Sequence, residues 1–321
     1  MKEPTYRQTL VHAWNVVWEN KILWILGLLS VFLGQLGFSD VFGKIWSMFD
    51  NSLASGGFAL VPLLKLNLTG GVWSALGLVW LSVICVAVVF LVIFLAAASQ
   101  GSLIAYAADW FKNGKHQTLA KPWRKSIKHF WSILLVNVVR QVLLFLLLLG
   151  FVLIADYFFV SRTPLEGFVF AASAVLVLIA SLVFSALCIY TLCYVVLDGK
   201  GVLESVKKAW ALFSDHLLVS LEVGLLLMLM NFFLVLVIAV GSFFAFLPSV
   251  LIWVAAGFTN LVVLAAIGLI LGIFLLLLFI ALVAGFFNAF TISAWVFLFM
   301  RMHKEGLSSR AIHFFKHIFS K

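Results

Sequence analysis

Hydrophobic positions along this chain alternate between two patterns: long runs without a charged side chain, and shorter stretches before them with helical spacing. In residues 202–217 the apolar positions are Val202, Val206, Ala209, Trp210, Phe213 and Leu217, opposite Glu204, Lys207, Lys208 and Ser214. Residues 119–130 repeat this with Leu119, Trp123, Ile127 and Phe130 against Lys121, Arg124, Lys125 and Lys128. The N-terminal stretch uses Tyr6, Leu10, Trp14 and Val17, and a fourth, at 307–319, uses Leu307, Ala311, Phe314, Phe315 and Ile318. The spacing predicts amphipathic helices over 5–19, 118–129, 203–215 and 308–319.

Three of these stretches align. With Trp14, Trp123 and Trp210 in register, Thr9-Leu10 falls on Thr118-Leu119 and Ser205-Val206, and Asn20 falls on His129 and His216, without gaps. A long apolar run follows each. The pattern predicts one unit used three times within a single membrane domain spanning 1–321. The units are 5–112, 116–200 and 202–304, with the C-terminal amphipathic helix 307–319 left over.

The long runs predict six crossings at 21–38, 72–108, 130–155, 167–197, 217–247 and 261–301. Between Glu222 and Arg301 no charged side chain occurs, and a bilayer core needs about 20 apolar residues per helix. By length, 217–300 also accommodates three crossings. Charge decides: two crossings, with a membrane-embedded connector at 248–260, keep every basic segment on one side. The other far connectors are 39–71 and 156–166. The expected fold is all-α, a polytopic helical membrane protein of six transmembrane helices in three hairpin repeats, each preceded by an interfacial amphipathic helix.

Composition agrees, at 65% hydrophobic, 10% charged and a mean hydropathy of +1.21, against roughly a quarter charged in soluble domains. Of the 21 Lys and Arg, 17 fall in the N-terminus, the 109–130 and 198–216 segments and the C-terminus. The far side holds Lys44, Lys65 and Arg162, and Arg140 is left inside a span. The positive-inside rule then puts both termini in the cytoplasm. Trp14, Trp123 and Trp210 read as interfacial anchors, and Lys121, Arg124, Lys125 and Lys128 as contacts to anionic lipid headgroups, each worth about 1 kcal/mol. The bilayer is the expected partner; a nucleic-acid partner is not.

The polar start MKEPTYRQTL argues against a cleaved signal peptide. Cys85, Cys188 and Cys193 sit in apolar runs without metal spacing and read as small core hydrophobes. Asn67-Leu68-Thr69 matches a glycosylation triplet common by chance. No cofactor or metal is expected.

The stretch Tyr194–Trp210, YVVLDGKGVLESVKKAW, resembles the cytoplasmic joint of a bacterial multi-pass family. That family is the membrane domain found beside some glycerophosphoryl diester phosphodiesterases, together with stand-alone relatives of unknown function. Asp198-Gly199-Lys200-Gly201 and Glu204-Ser205-Val206-Lys207-Lys208 stand in the places of its acidic-Gly-Lys-Gly turn and basic helix, and AWNVVWENKILWILGL from Ala13 looks like its entry helix. The resemblance implies the bacterial inner membrane and the membrane part without the catalytic barrel, for which the longest soluble segment of about 30 residues leaves no room.

Arg140 is the residue that asks for chemistry. It lies ten residues into the third run, about 15 Å deep at helical rise, where an exposed charge costs from about 3 to over 10 kcal/mol. It must face protein or water, near Asn137 and Gln141, with Glu222 its first candidate partner and Asn231 next. Gln100, Asn231 and Asn288 read as buried amides that bond neighbouring helices. The small-residue stripes Ala97/Gly101/Ala105, Gly268/Gly272 and Ala281/Gly285/Ala289 read as close-packed faces. No nucleophile–base pair appears, so a non-enzymatic scaffold or accessory protein in lipid or envelope homeostasis is expected. The rival is a transporter or lipid-handling protein in which Arg140 contacts an anionic group. A filled bundle supports the first; a polar cavity at Arg140 supports the second.

Overall fold

A computed structural model describes residues 5–34, 72–114, 118–161, 164–259 and 261–305. Among them every regular element is a helix: α1 (Thr5–Glu19), α2 (Ile22–Gly34), α3 (Val72–Asn113), α4 (Ala120–Lys128), α5 (Phe130–Ser161), α6 (Pro164–Asp198), α7 (Val202–Asp215), α8 (Leu217–Thr259) and α9 (Val262–Glu305). Five of them, α3, α5, α6, α8 and α9, are long and apolar enough to cross a membrane. α2 has 13 residues, about 20 Å of rise against a core of about 30 Å. The rest of the expected first crossing, the 39–71 connector and the 308–319 helix lie outside the described residues.

The short helices stop where the Trp register puts a break. α1, α4 and α7 each end five residues after Trp14, Trp123 and Trp210, and Asn20, His129 and His216 follow. Each breaking residue donates its backbone N–H to the helix just finished: Asn20 to Val16, His129 to Ser126 and His216 to Leu212, at 3.0–3.2 Å. Its carbonyl accepts from the next helix: Leu23 to Asn20, Ile133 to His129 and Ser220 to His216. One residue at the second and third breaks, and two at the first, turn the chain while the helix-end groups stay bonded.

α2 and the long helices pack in a closed cycle. α2 packs on α3, α5 on α6 and α8 on α9. Between them, α4 and α5 lie on α3, α7 and α8 on α6, and α1 and α2 on α9. α3, α6 and α9 touch one another at the centre. Each seam carries a buried polar bond. Asn137 donates to Gln100 (2.7 Å) between α5 and α3, Tyr190 to Ser220 (3.0 Å) between α6 and α8, and Asn288 to Ser30 (2.6 Å) between α9 and α2. Each also carries a glycine where a Cβ would collide: Gly101 against Ser126 and Ile133, Gly224 against Leu182, and Gly27 against the Gly285 carbonyl. Without a hydrophobic drive between helices in lipid, such close approach and amide bonding supply the association.

The core lies at one end of the bundle, in Ala96–Ala108 of α3, Ile189–Val196 of α6 and Ile292–Met300 of α9. This is the end bearing the basic segments.

Two expectations need correction. Residues 248–259 are helical where a connector was expected, because α8 runs on through Pro248 to Thr259. Helix α9 packs against it there. Gly268 and Gly272 of α9 present a flat face to Phe246, Ser249 and Ile252, and Ser249 donates to the Gly268 carbonyl, the kind of support that lets a membrane helix keep a proline. The 156–166 connector shrinks to the two residues between Ser161 and Pro164; Pro at the first position of a helix lacks only an N–H that would be unbonded there anyway. In the short helices, the faces of α1 and α7 buried in the bundle are Thr9, Ala13, Val16 and Val17, and Ser205, Ala209 and Phe213, while Trp14 and Trp210 remain 43% and 57% exposed. α1 also runs lengthwise along α9: Gln8 accepts from Arg301, His12 stacks on Phe297 (4.8 Å) and Trp14 meets Phe290 and Phe286 edge-on.

Candidate functional site

A cavity of about 210 Å³ opens where the packed end gives way to the exposed apolar half. It offers room for several waters at about 30 Å³ each. α5 contributes Arg140, α3 Gln100, and α6 the face Ser181, Leu182, Ser185, Cys188, Ile189 and Leu192. α8 adds Gly224, Leu227, Met228 and Asn231, and α9 adds Asn288, Thr291, Ile292 and Trp295. The lining thus combines one guanidinium with amides, hydroxyls and apolar groups, and contains no carboxylate. Five donors in a fixed fork suit a guanidinium to an anion's oxygens. Amides and hydroxyls can take further oxygens.

Helical spacing explains why these residues converge. Ser181, Ser185, Cys188 and Leu192 recur at four, three and four residues and make one stripe of α6. Gln100 and Asn288 stand at the seams and reach the cavity from both sides. Asn137 does not line it. It is buried and fixes Gln100 by donating to the Gln100 side-chain carbonyl, while also donating to the Ile133 carbonyl at 2.9 Å.

Of the expected polar set, then, Arg140 and Asn231 meet in the cavity, Asn137 acts through Gln100, and Gln141 and Glu222 lie outside the lining. Extensive packing between α5 and α8, on which the expected Arg140–Glu222 pair depended, does not occur among the described residues; both helices pack on α6. Glu222 sits two residues from Gly224, at the basic-end rim. Ser185 and Thr291 were not singled out from sequence, and Cys188 was read only as a small core hydrophobe, though the hydroxyl-bearing stripe on α6 was a usable signal.

At the basic end, Lys125 donates to the Leu197 carbonyl at 3.0 Å, capping the end of α6. Burial, against the opposing pull of Asp109, holds its ammonium below the usual lysine range. Lys121, Arg124 and Lys128 are exposed or nearly so along α4, and Trp123 is half-buried. Burial, then Lys128 and Lys125, pushes the His129 imidazole down. His12 is likewise lowered, by burial and then by Arg301. Among the described residues no group of three His, Cys, Asp or Glu side chains is placed to hold a metal. Comparison of the chain with protein families, with curated proteins and with solved structures returns no match.

Proposed function

We propose that this chain is a six-crossing protein of the bacterial inner membrane, with both termini in the cytoplasm, that holds an anionic group at Arg140. It carries out no reaction of its own and serves lipid or envelope homeostasis. One observation carries this reading: the cavity places a guanidinium among amides and hydroxyls, with no carboxylate in the lining. A pure scaffold gains nothing from such an opening, since a well-packed bundle is more stable.

Three elbow–hairpin units are supported by the shared offset of the breaks at Asn20, His129 and His216 and by the cyclic packing of α2, α5 and α8. The orientation rests on the 17-to-3 division of basic residues. Trp14 and Trp210, exposed beside the buried faces of their helices, are suited to anchor at the headgroup layer, as are Lys121, Arg124 and Lys128. The Tyr194–Trp210 joint supports kinship with the membrane domain associated with glycerophosphoryl diester phosphodiesterases.

The test is thermal unfolding of the full chain in neutral detergent, with and without inorganic phosphate or dodecyl phosphate. At least one of the two should raise the Tm of the wild type and leave Arg140→Gln unmoved. Equal shifts in both proteins, or none in either, would remove the anion site.

A further inference from the structure

The cavity has a closed side and an open side, and they differ in polarity. Toward the basic end it is floored by fully enclosed side chains. Tyr190 is buried and bonded to Ser220 (3.0 Å), Trp295 meets it edge-on, and Val296, Leu298 and Phe299 are all 2% exposed or less. That floor offers a soluble anion no polar route. The opposite rim is apolar and open. Met228 lines the cavity yet is 41% exposed. Arg140 stands between Val138 and Val139 on one side and Val142 on the other, each about half exposed, and Leu178 and Ile179 lie beside Ser181 in the same condition. Access runs through the kind of surface a bilayer covers.

The level of the cavity fits the same ligand. Gln100 is six residues along α3 from Tyr106, about 9 Å of rise, and the Tyr106 hydroxyl donates at 2.7 Å to Asn20, between exposed Glu19 and Lys21. Gly224 of the lining is two residues from Glu222. Charged side chains belong at or near the headgroup layer, so the cavity belongs to the half of the bundle nearer the basic end.

We infer that, given an anion site at Arg140, its occupant is an anionic phospholipid of the leaflet on the basic side. The headgroup phosphate meets the Arg140 guanidinium, and the Gln100 and Asn231 amides and the Ser185 hydroxyl donate to its remaining oxygens. The acyl chains leave past Met228 and Val142 along the exposed apolar faces of α5, α6 and α8. Head toward the basic end and tails toward the far side is the ordinary orientation of a lipid in that leaflet, so entry is lateral and needs no inversion.

The experiment places the full chain in nanodiscs of phosphatidylcholine with a minority of phosphatidylglycerol and identifies the retained lipid by native mass spectrometry. Phosphatidylglycerol should be retained over phosphatidylcholine by at least about tenfold, and Arg140→Gln should erase most of that preference. Ser185→Leu, which fills the cavity without altering charge, should also erase it and decides the matter should Arg140→Gln not fold. Lys207→Gln, on the exposed face of α7, should not. Equal loss from Lys207→Gln, or full retention by the folded Arg140→Gln or Ser185→Leu protein, would reduce the lipid to a surface annulus and overturn the inference. Inorganic phosphate, added to lipid-free protein in detergent and read by Tm, separates the two sources. Arg140-dependent stabilisation by phosphate without retention of phosphatidylglycerol overturns the lipid while sparing the anion site. Neither effect overturns both.

Discussion

Residues 96–108 of α3, AAASQGSLIAYAA, are buried without interruption, while residues 79–92 of the same helix, VWLSVICVAVVFLV, are exposed without interruption. The enclosed half is the one with small and hydroxyl- or amide-bearing side chains; the exposed half is the one with large hydrophobic ones. In water this order would be reversed. In lipid the large apolar groups gain nothing by leaving their solvent, and close backbone approach and internal hydrogen bonds do the packing. The same division runs through the molecule. At the basic end, glycines and amides lock α3, α6 and α9 to α2, α5 and α8, whereas beyond the Arg140 cavity α8 and α9 expose Phe243, Phe244, Trp253, Phe258, Val262 and Phe274.

Glycines test this division with the largest effect. Gly27→Ala drives a methyl into the Gly285 carbonyl and should cost about 3 kcal/mol in reversible unfolding from detergent. Gly150→Ala and Gly257→Ala, with open space around them, should be neutral or gain up to about 1 kcal/mol from helix propensity. Comparable losses at all three would erase the distinction between the ends. The amide seams come next. Asn288→Leu removes bonds to the Gly27 carbonyl and Ser30 and should cost about 1 kcal/mol, within the range for interhelical polar bonds in membranes. Ser82→Ala, which removes only an exposed bond to Val79 of the same helix, should cost nearly nothing. At the basic rim, Lys125→Met loses the cap on Leu197 and should cost about 0.5 kcal/mol in unfolding measurements, less as salt rises.

The smallest effect is one of pH. His12 has its folded pKa held below the ordinary histidine value by burial and then by Arg301, so the folded state binds the proton less readily than the unfolded chain. The stability it contributes is complete above about pH 6.5 and declines as pH falls below that value. His12→Phe, which preserves a ring against Phe297, should flatten that part of the Tm-against-pH curve.

Periodicity made much of this legible. The elbows α1, α4 and α7 and their breaks follow from the Trp register, because an amphipathic turn and a break of one or two residues are local features. Seam amides such as Gln100 and Asn288 also stood out, since an amide in an apolar run has few uses. Helix ends did not. Charge set the number of crossings in 217–300 and left 248–260 as a connector, whereas the helix continues through Pro248 where Gly268 and Gly272 of α9 pack against it. Arg140's partners were legible only by depth, which assumes helices perpendicular to the membrane and starting at one level. The actual grouping of Arg140 with Asn231 and Ser185 rather than Glu222 follows from α6 packing against both α5 and α8.

The central claim is that the boundary between the two ends is a seat for an anionic headgroup. The most direct measurement is an electron cryomicroscopy map of the full chain in nanodiscs containing phosphatidylglycerol. The account predicts non-protein density of phosphate size within about 2.7–3.2 Å of the Arg140 guanidinium, with continuous density leading out past Met228. A cavity closed around Arg140 by protein side chains alone, with lipid density only on the outer surface, would contradict it.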